Sequence, residues 1–478
     1  MRKKFYLTSA IPYVNAAPHI GHALEFIQAD TIARFHKQRG EEVLMLSGGD
    51  ENALKIVQAA EKAGMEPQKF CDVHNGEFLE LVRKLNVHFD IWQRGTDRTH
   101  HFPASQKLWE LCNKNGDIYK KSYEGLYCVG CESFYSPEDL DENGECFEHP
   151  GSKLEKVSEE NYFFRLSNYQ KFIDDLLTTD KLKIIPEIRK NEAVAFVKKG
   201  LEDFSISRSK ERAKGWGVPV PGDPNQIMYV WFDALNIYQS GIGLGWDENQ
   251  FKEWAPQDVM VIGKGIIRFH AIYWPAILNS AGLPLPQKLF AHGYLTVDGQ
   301  KMSKTLGNVV DPIAVIDKYG TDAVRYYLLR EIPSYGDGDF SERRFKEIYN
   351  ADLANGLGNT VARIAKLAEN SKLRFKETPL DDILSEAENK ALQDFWFEVI
   401  KNFLTVNLQA IDQHIDQHAP WLEKDKNQLQ TVLQEEIDEM RKLARKLQIF
   451  LPNTAEKILE QFKGPTIKSQ PPLFPRLL

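Results

Sequence analysis

The opening stretch of the chain constrains the fold more than any other. Phe5-Tyr6-Leu7-Thr8-Ser9 is a short apolar run of strand character, and Ile11-Pro12-Tyr13 turns the chain directly after it. A helical stretch follows from about Pro18 to Arg39, with the proline in its first turn, where its missing N–H costs nothing. Gly40 stops that helix, and Val43-Leu44-Met45-Leu46 is the next strand. Strand, long helix, strand is a βαβ unit, which predicts a parallel sheet and an α/β fold.

A chain of 478 residues is too long for one compact core and predicts several domains. The pattern changes near residue 118. Residues 119–221 carry most of the cysteines, many charges and little helical period, and read as an insertion between two halves of a sheet domain spanning 1–118 and 222–310. Met228-Tyr229-Val230-Trp231-Phe232 and Asp258-Val259-Met260-Val261-Ile262-Gly263 read as strands returning to that sheet. Residues 311–349 form a linker, and 350–478 have helical period throughout, up to the proline-rich Gln470-Pro471-Pro472-Leu473-Phe474-Pro475.

Composition excludes several classes. Apolar residues make up 42% and charged residues 27%, as in globular chains rather than disordered ones. No run of 18 apolar residues exists, so no membrane partner is expected. The basic start Met1-Arg2-Lys3-Lys4 is not expected to be a signal peptide, because Pro12 and Asn15 break the apolar stretch behind it. A net charge of −8 neither advertises nor excludes nucleic acid, since local patches decide such binding.

Two short motifs carry chemistry. His19-Ile20-Gly21-His22 stands where the first strand meets its helix, and a helix N-terminus is a natural seat for phosphate. Two imidazoles one turn apart can donate to a triphosphate, with Gly21 allowing close approach. By itself the motif has as many structural uses. About 280 residues later, Lys301-Met302-Ser303-Lys304-Thr305 follows the turn-like Val297-Asp298-Gly299-Gln300. Two lysines on flexible stems suit an anion clamp, and a clamp closing on a developing pyrophosphate stabilises the transition state. Alone, such a loop is usually solvated surface.

A third cluster has metal-ligand spacing. Cys128-x-x-Cys131 and Cys146-x-x-His149 are two ligand pairs separated by 14 residues, the pattern of a closed tetrahedral Zn2+ site. Four protein ligands leave no open position, so the expected zinc is structural. Cys71 and Cys112 are left as core thiols.

Taken together, the histidine and lysine motifs resemble the class I aminoacyl-tRNA synthetases, and within them the methionyl group. Ala10-Ile11-Pro12-Tyr13, Tyr229-Val230-Trp231-Phe232-Asp233-Ala234, His292-Gly293-Tyr294, Gly336-Asp337-Gly338-Asp339-Phe340-Ser341 and Ala351-Asp352-Leu353-Ala354-Asn355 carry the same likeness. The resemblance implies a Rossmann-type parallel-sheet catalytic domain with a zinc-bearing insertion, followed by an all-α anticodon-binding domain. It implies methionine–tRNA ligase activity in the cytoplasm, with ATP, L-methionine and tRNA(Met) as partners and Mg2+ accompanying ATP. His19, His22, Lys301 and Lys304 would be catalytic. Ala10, His19, Gly21, His22 and Lys304 would bind ATP. Trp231, Ala234, Leu235 and Tyr238 recur at helical spacing, as do Ile266, His270 and Trp274. By resemblance Ile11, Tyr13, Trp231, Ala234, Leu235, Tyr238, Ile266 and His270 wrap the methionine side chain, while Asp50 holds its ammonium. Sulfur packs well against such aromatic edges.

In the helical segment Leu353, Leu357, Val361, Ile364 and Leu367 form one apolar stripe. Asn359 lies about 200° and Arg363 about 240° around the helix from Leu357, so both point away from the core. A solvated face would explain them. The resemblance makes them readers of the CAU anticodon, with Trp421 supplying a stacking plane. Three departures from the family pattern stand out: Asn52 where a histidine is usual, Gly95 where a threonine is usual, and Thr305 where a serine is usual. The end at Leu478, without an added dimerising module, predicts a monomer. Siblings with large editing insertions would need a longer chain, and a cysteinyl enzyme would need a cysteine near Ser9-Ala10-Ile11-Pro12.

Overall fold

The computed structural model describes residues 3–128, 133–135, 140–146, 154–302, 307–380 and 383–477. The chain divides into two compact units: residues 1–18, 42–80 and 88–291, and residues 19–41, 81–87 and 292–478.

The first unit is built on a six-stranded sheet. In chain order its strands are β1 (Lys4–Ser9), β2 (Glu42–Gly49), β3 (Ile91–Arg94), β6 (Lys183–Ile185), β7 (Val259–Gly263) and β8 (Lys288–His292), and β4 (Ile118–Cys128) and β5 (Glu155–Phe164) pair antiparallel within a separate four-stranded sheet. The spatial order is β3-β2-β1-β7-β8-β6. The pairs β1/β2, β1/β7, β2/β3 and β8/β6 are all parallel, as the βαβ reading requires. Every residue from Phe5 to Ser9 is buried, so β1 shows no alternation. That is the mark of a strand covered on both faces. The strand Lys183–Ile185, within the stretch read as an insertion, forms one edge of this sheet.

The expected strand Met228–Phe232 is corrected. A strand ends at Met228 in a small antiparallel sheet, and Val230–Ala234 is helical. Residues 230–234 are buried all round, so they carry no period that could distinguish helix from strand. The helices used below are α1 (Ile20–Gln38), α2 (His101–Lys114), α3 (Val230–Ala234), α4 (Ile237–Ser240), α5 (Thr321–Glu331), α6 (Asn359–Ser371), α7 (Val399–His418), α8 (Lys426–Leu447) and α9 (Pro452–Gln461).

The second unit holds α1, α5 to α9 and a three-stranded sheet of Leu295–Val297, Gln300–Lys301 and Gly338–Phe340. Burial ties α1 into it. Asp30 accepts from Arg34 at 2.6 Å and lies 2.7 Å from the fully buried Arg325, whose Nε donates to the Phe450 carbonyl at 2.6 Å. Leu353, Leu357, Val361 and Ile364 are buried as the stripe predicted, while Leu367 is half-buried. Among the described residues no helix is long and apolar enough to cross a membrane.

Candidate active site

In the second unit, His19-Ile20-Gly21-His22 forms a capping box made of imidazoles. His19 is the N-cap of α1, with extended backbone, and its Nδ1 accepts from the Gly21 N–H at 3.1 Å. His22 Nδ1 reaches back to accept from the His19 N–H at 3.1 Å. The two rings stack with centroids 3.9 Å apart. A Cβ on Gly21 would lie 2.9 Å from His19 Cε1, so a side chain there would push the ring aside. Because both Nδ1 atoms accept, each neutral ring carries its proton on Nε2. Burial, then the neighbouring His19 and His292, hold His22 well below the ordinary histidine range. The helix start thus carries two imidazole N–H donors beside its own dipole, an arrangement suited to phosphate oxygens.

The lysine segment belongs to the same unit. Asp298 and Gly299, with φ of 48° and 77°, make a two-residue hairpin turn that pairs Thr296 with Lys301. Lys301 is exposed, and Met302 Cε lies 3.9 Å from where a Cβ on Gly21 would stand. On the far side of the loop, the Val310 carbonyl accepts from the Ile20 N–H at 3.2 Å. Both flanks of the lysine loop therefore meet the histidine cap. Lys304 and Thr305 lie outside the described residues.

In the first unit, the carboxyl ends of β1 and β2 meet. Asp50 N–H donates to the Pro12 carbonyl at 2.9 Å, Val14 N–H donates to the Asp50 carbonyl at 3.3 Å, and Asp50 is buried. Ala10, at the end of β1, donates to the Val261 carbonyl at 2.9 Å. Tyr13 meets Trp231 edge-on at 6.3 Å between centroids, and Trp231 stands edge-on to His270 at 6.4 Å. Tyr238 Oη lies 2.9 Å from His270 Nε2, while His270 Nδ1 is 3.0 Å from the Ile266 carbonyl. An N–H aimed at that carbonyl makes Nε2 the acceptor of the tyrosine hydroxyl. Burial pushes His270 down to about 4. Ala234 and Leu235 are buried beside Trp231, while Ile11 and Ile266 are half-buried. The buried Trp231 Nε1–H has no acceptor among the described residues, which leaves a donor for a ligand. Phe269, which the sequence reading passed over, stacks on Trp231 at 3.8 Å.

Two of the three departures touch each other. Asn52 Nδ2 donates to the Gly95 carbonyl at 2.7 Å and to Asp233 Oδ2 at 2.6 Å. A Cβ on Gly95 would lie 3.2 Å from Glu51 N and from the Gly49 carbonyl oxygen. Glu51, next to Asp50, accepts from Arg94 Nε at 2.8 Å and from the Thr96 N–H at 2.8 Å. Asp233 sits inside Tyr229-Val230-Trp231-Phe232-Asp233-Ala234. A carboxylate inside an otherwise apolar run was the signal that could have found it.

Of the expected zinc ligands, Cys128 ends β4 and Cys146 donates to Tyr135 Oη at 3.4 Å, and both are buried. Cys131 and His149 lie outside the described residues, and among the described residues no three metal-ligating groups cluster. Burial pushes the Cys112 thiol up to about 12 and raises Cys71 as well, as expected of unreactive core thiols. In the second unit Arg363 lies over the Trp421 ring at 5.5 Å and donates to Asp416 at 2.6 Å. Asn359 and Trp421 are exposed, the latter by 54%.

The profile of the family described as "tRNA synthetases class I (M)" matches residues 5–365. A methionine–tRNA ligase of Nostoc sp. is 42% identical, over 96% of this chain and 90% of its own length. One of Thermotoga maritima is 40% identical, over 96% of this chain and 75% of its own. A solved structure of Mycobacterium tuberculosis methionyl-tRNA synthetase in complex with methionyl-adenylate superposes with a TM-score of 0.92 at 35% identity, covering 99% of this chain and 100% of that one.

Proposed function

The chain belongs to the class I methionyl-tRNA synthetases, and from that premise we propose how its residues divide the work. It is a methionine–tRNA ligase: it activates methionine with ATP to methionyl-adenylate and pyrophosphate, then transfers the methionyl group to the 3′ end of tRNA(Met). The observation that carries the assignment of roles is the imidazole capping box at the start of α1, met by both flanks of the lysine loop.

Activation is in-line displacement at the α-phosphate by the methionine carboxylate. It needs positioning and charge stabilisation rather than a protein nucleophile. His19 and His22 offer Nε2–H donors to ATP phosphates, with Gly21 and Ala10 allowing close backbone approach. Lys301 and Lys304 close on the leaving pyrophosphate, where charge grows in the transition state. ATP enters as its Mg2+ complex. Asp50 takes the substrate ammonium, and Ile11, Tyr13, Trp231, Ala234, Leu235, Tyr238, Ile266 and His270 surround the thioether. A neutral, buried His270 suits an uncharged side chain. Exchange of pyrophosphate into ATP, run across the amino acids, tests the assignment. Exchange with methionine alone is expected, and exchange driven equally by another amino acid would overturn it.

We assign 1–118 and 222–310 to the catalytic domain, 119–221 to the insertion, 311–349 to a stem-contact linker and 350–478 to anticodon binding. Asn359, Arg363 and Trp421 read CAU there. One zinc per chain is held by Cys128, Cys131, Cys146 and His149. The two described thiols are buried soft donors, as such a site needs, and the metal would supply local folding energy. Metal analysis of the native protein should give one zinc, and Cys146→Ser should lose it. The enzyme works as a cytoplasmic monomer, so a sedimentation mass near twice 54.9 kDa would refute that part.

A further inference from the structure

Resting on the reading that Trp231, Ala234 and Tyr238 line the methionine side chain, we propose that His101 is the positioning residue of that pocket: one buried imidazole pins both short helices that carry its wall. His101 is the first residue of α2 and has no exposed surface. Its Nε2 lies 2.5 Å from Asp233 Oδ1, on α3 between Trp231 and Ala234. Its Nδ1 lies 2.8 Å from Ser240 Oγ, on α4 two residues past Tyr238. The same ring therefore reaches both helices.

The two helices cannot hold their own geometry. They have five and four residues, well below the length at which helix formation sustains itself. Their orientation has to come from tertiary contacts, and this network is fully buried. Asp233 can only accept, so His101 Nε2 carries the proton between them. Ser105 Oγ donates to Asp233 Oδ1 at 3.2 Å, and Asn52 Nδ2 donates to Oδ2 at 2.6 Å. Asn236, between the two helices, donates to Ser105 Oγ at 3.3 Å. With its proton on Nε2, the His101 ring accepts at Nδ1 from the Ser240 hydroxyl. A buried carboxylate with this many donors has one low-energy arrangement, and Trp231 and Ala234 turn with it. His101 lies 132 and 139 residues from its two partners in sequence, which is why no local motif announces it.

The test uses the full chain, with methionine and ATP varied separately in pyrophosphate exchange. His101→Gln keeps one hydrogen bond and His101→Leu keeps none, while Ser240→Ala removes a single hydroxyl. Methionine KM should rise about threefold for Ser240→Ala and about tenfold or more for His101→Leu, with His101→Gln between, because small misplacements of a binding wall carry costs of this order. ATP KM should stay within about twofold, since the phosphate donors belong to other residues. Discrimination between methionine and its one-methylene-longer analogue ethionine should narrow in the same order. Methionine and ATP KM rising together, or neither rising, would overturn the proposal. Trp231→Ala separates it from the reading beneath it. An unchanged methionine KM in that variant sinks the pocket assignment itself. A raised KM there, with normal values in the His101 and Ser240 variants, sinks only the positioning role. If His101→Leu does not fold, Ser240→Ala and Asp233→Asn decide the matter on the same readouts.

Discussion

The wall we propose for methionine and the helical face we propose for the anticodon are built on opposite plans. In the wall, Trp231, Tyr238 and His270 are buried, and His270 has a defined partner at each ring nitrogen. On the other face Trp421 is more than half exposed, and Arg363 sits over it with its guanidinium held by Asp416. A small apolar side chain is recognised by a preformed, desolvated cavity. Splayed bases are recognised by side chains that stay presented to solvent and stack. On the proposed assignment the same residue types do different work: a buried aromatic ring packs in one region, and an exposed one offers a landing surface in the other.

Mutants that separate the two half-reactions can break this contrast. The largest effect should come from chemistry that both regions serve. Lys304→Ala should bind methionine nearly normally but lose adenylate formation by about 10²-fold or more, as when one preorganised transition-state donor is removed. Equal losses of methionine affinity and rate, measured by equilibrium binding and exchange, would count against a clamp.

Next in size is Trp421→Ala. Exchange should stay intact while tRNA charging falls about 5- to 150-fold, the cost of about 1–3 kcal/mol for one lost base stack. If exchange drops with charging, Trp421 is core rather than surface and the contrast fails.

The wall should also show itself in acid. Burial holds His270 at about 4, below the ordinary 6.5, so the folded state keeps it neutral. Its contribution is complete above pH 6.5 and is lost as pH falls toward 4, amounting to about 2 kcal/mol by pH 5. The thermal midpoint of His270→Gln should therefore fall less steeply between pH 7 and 5 than that of the parent. Parallel slopes would show that His270 is not held neutral.

The smallest effects are expected at the proposed anticodon face. Arg363→Ala should weaken charging and narrow the preference for CAU over altered anticodons, and Asn359→Ala should do the same more mildly, by a few-fold each. Charging kinetics on wild-type and anticodon-altered tRNA measure both. Unchanged selectivity in the two variants would mean a merely solvated helix face.

Much of the site was legible because its signals are local. The pairing of His19 and His22 at a helix start, the glycine between them and the Asp298-Gly299 turn each involve residues within three positions of one another. Short-range geometry of this kind is written directly in residue order. The helical state of 230–234 was not legible, since burial on every side erases the period that would reveal it. Phe269 and His101 were not legible either, because their roles consist of what they touch.

The sequence by itself determined the parallel-sheet class, the family and the apolar stripe from Leu353 to Ile364. The fold class and the stripe follow from spacing along the chain, where helix and strand geometry leave few choices, and the family follows from the resemblance of its motifs. Only the tertiary structure decided that Met302 and Val310 meet the start of α1, that Asn52 takes up Gly95 and Asp233, and that Arg363 lies over Trp421. Those contacts join residues tens to hundreds of positions apart. Their formation depends on chain return and on which buried polar groups find partners, and no local pattern of side chains encodes that.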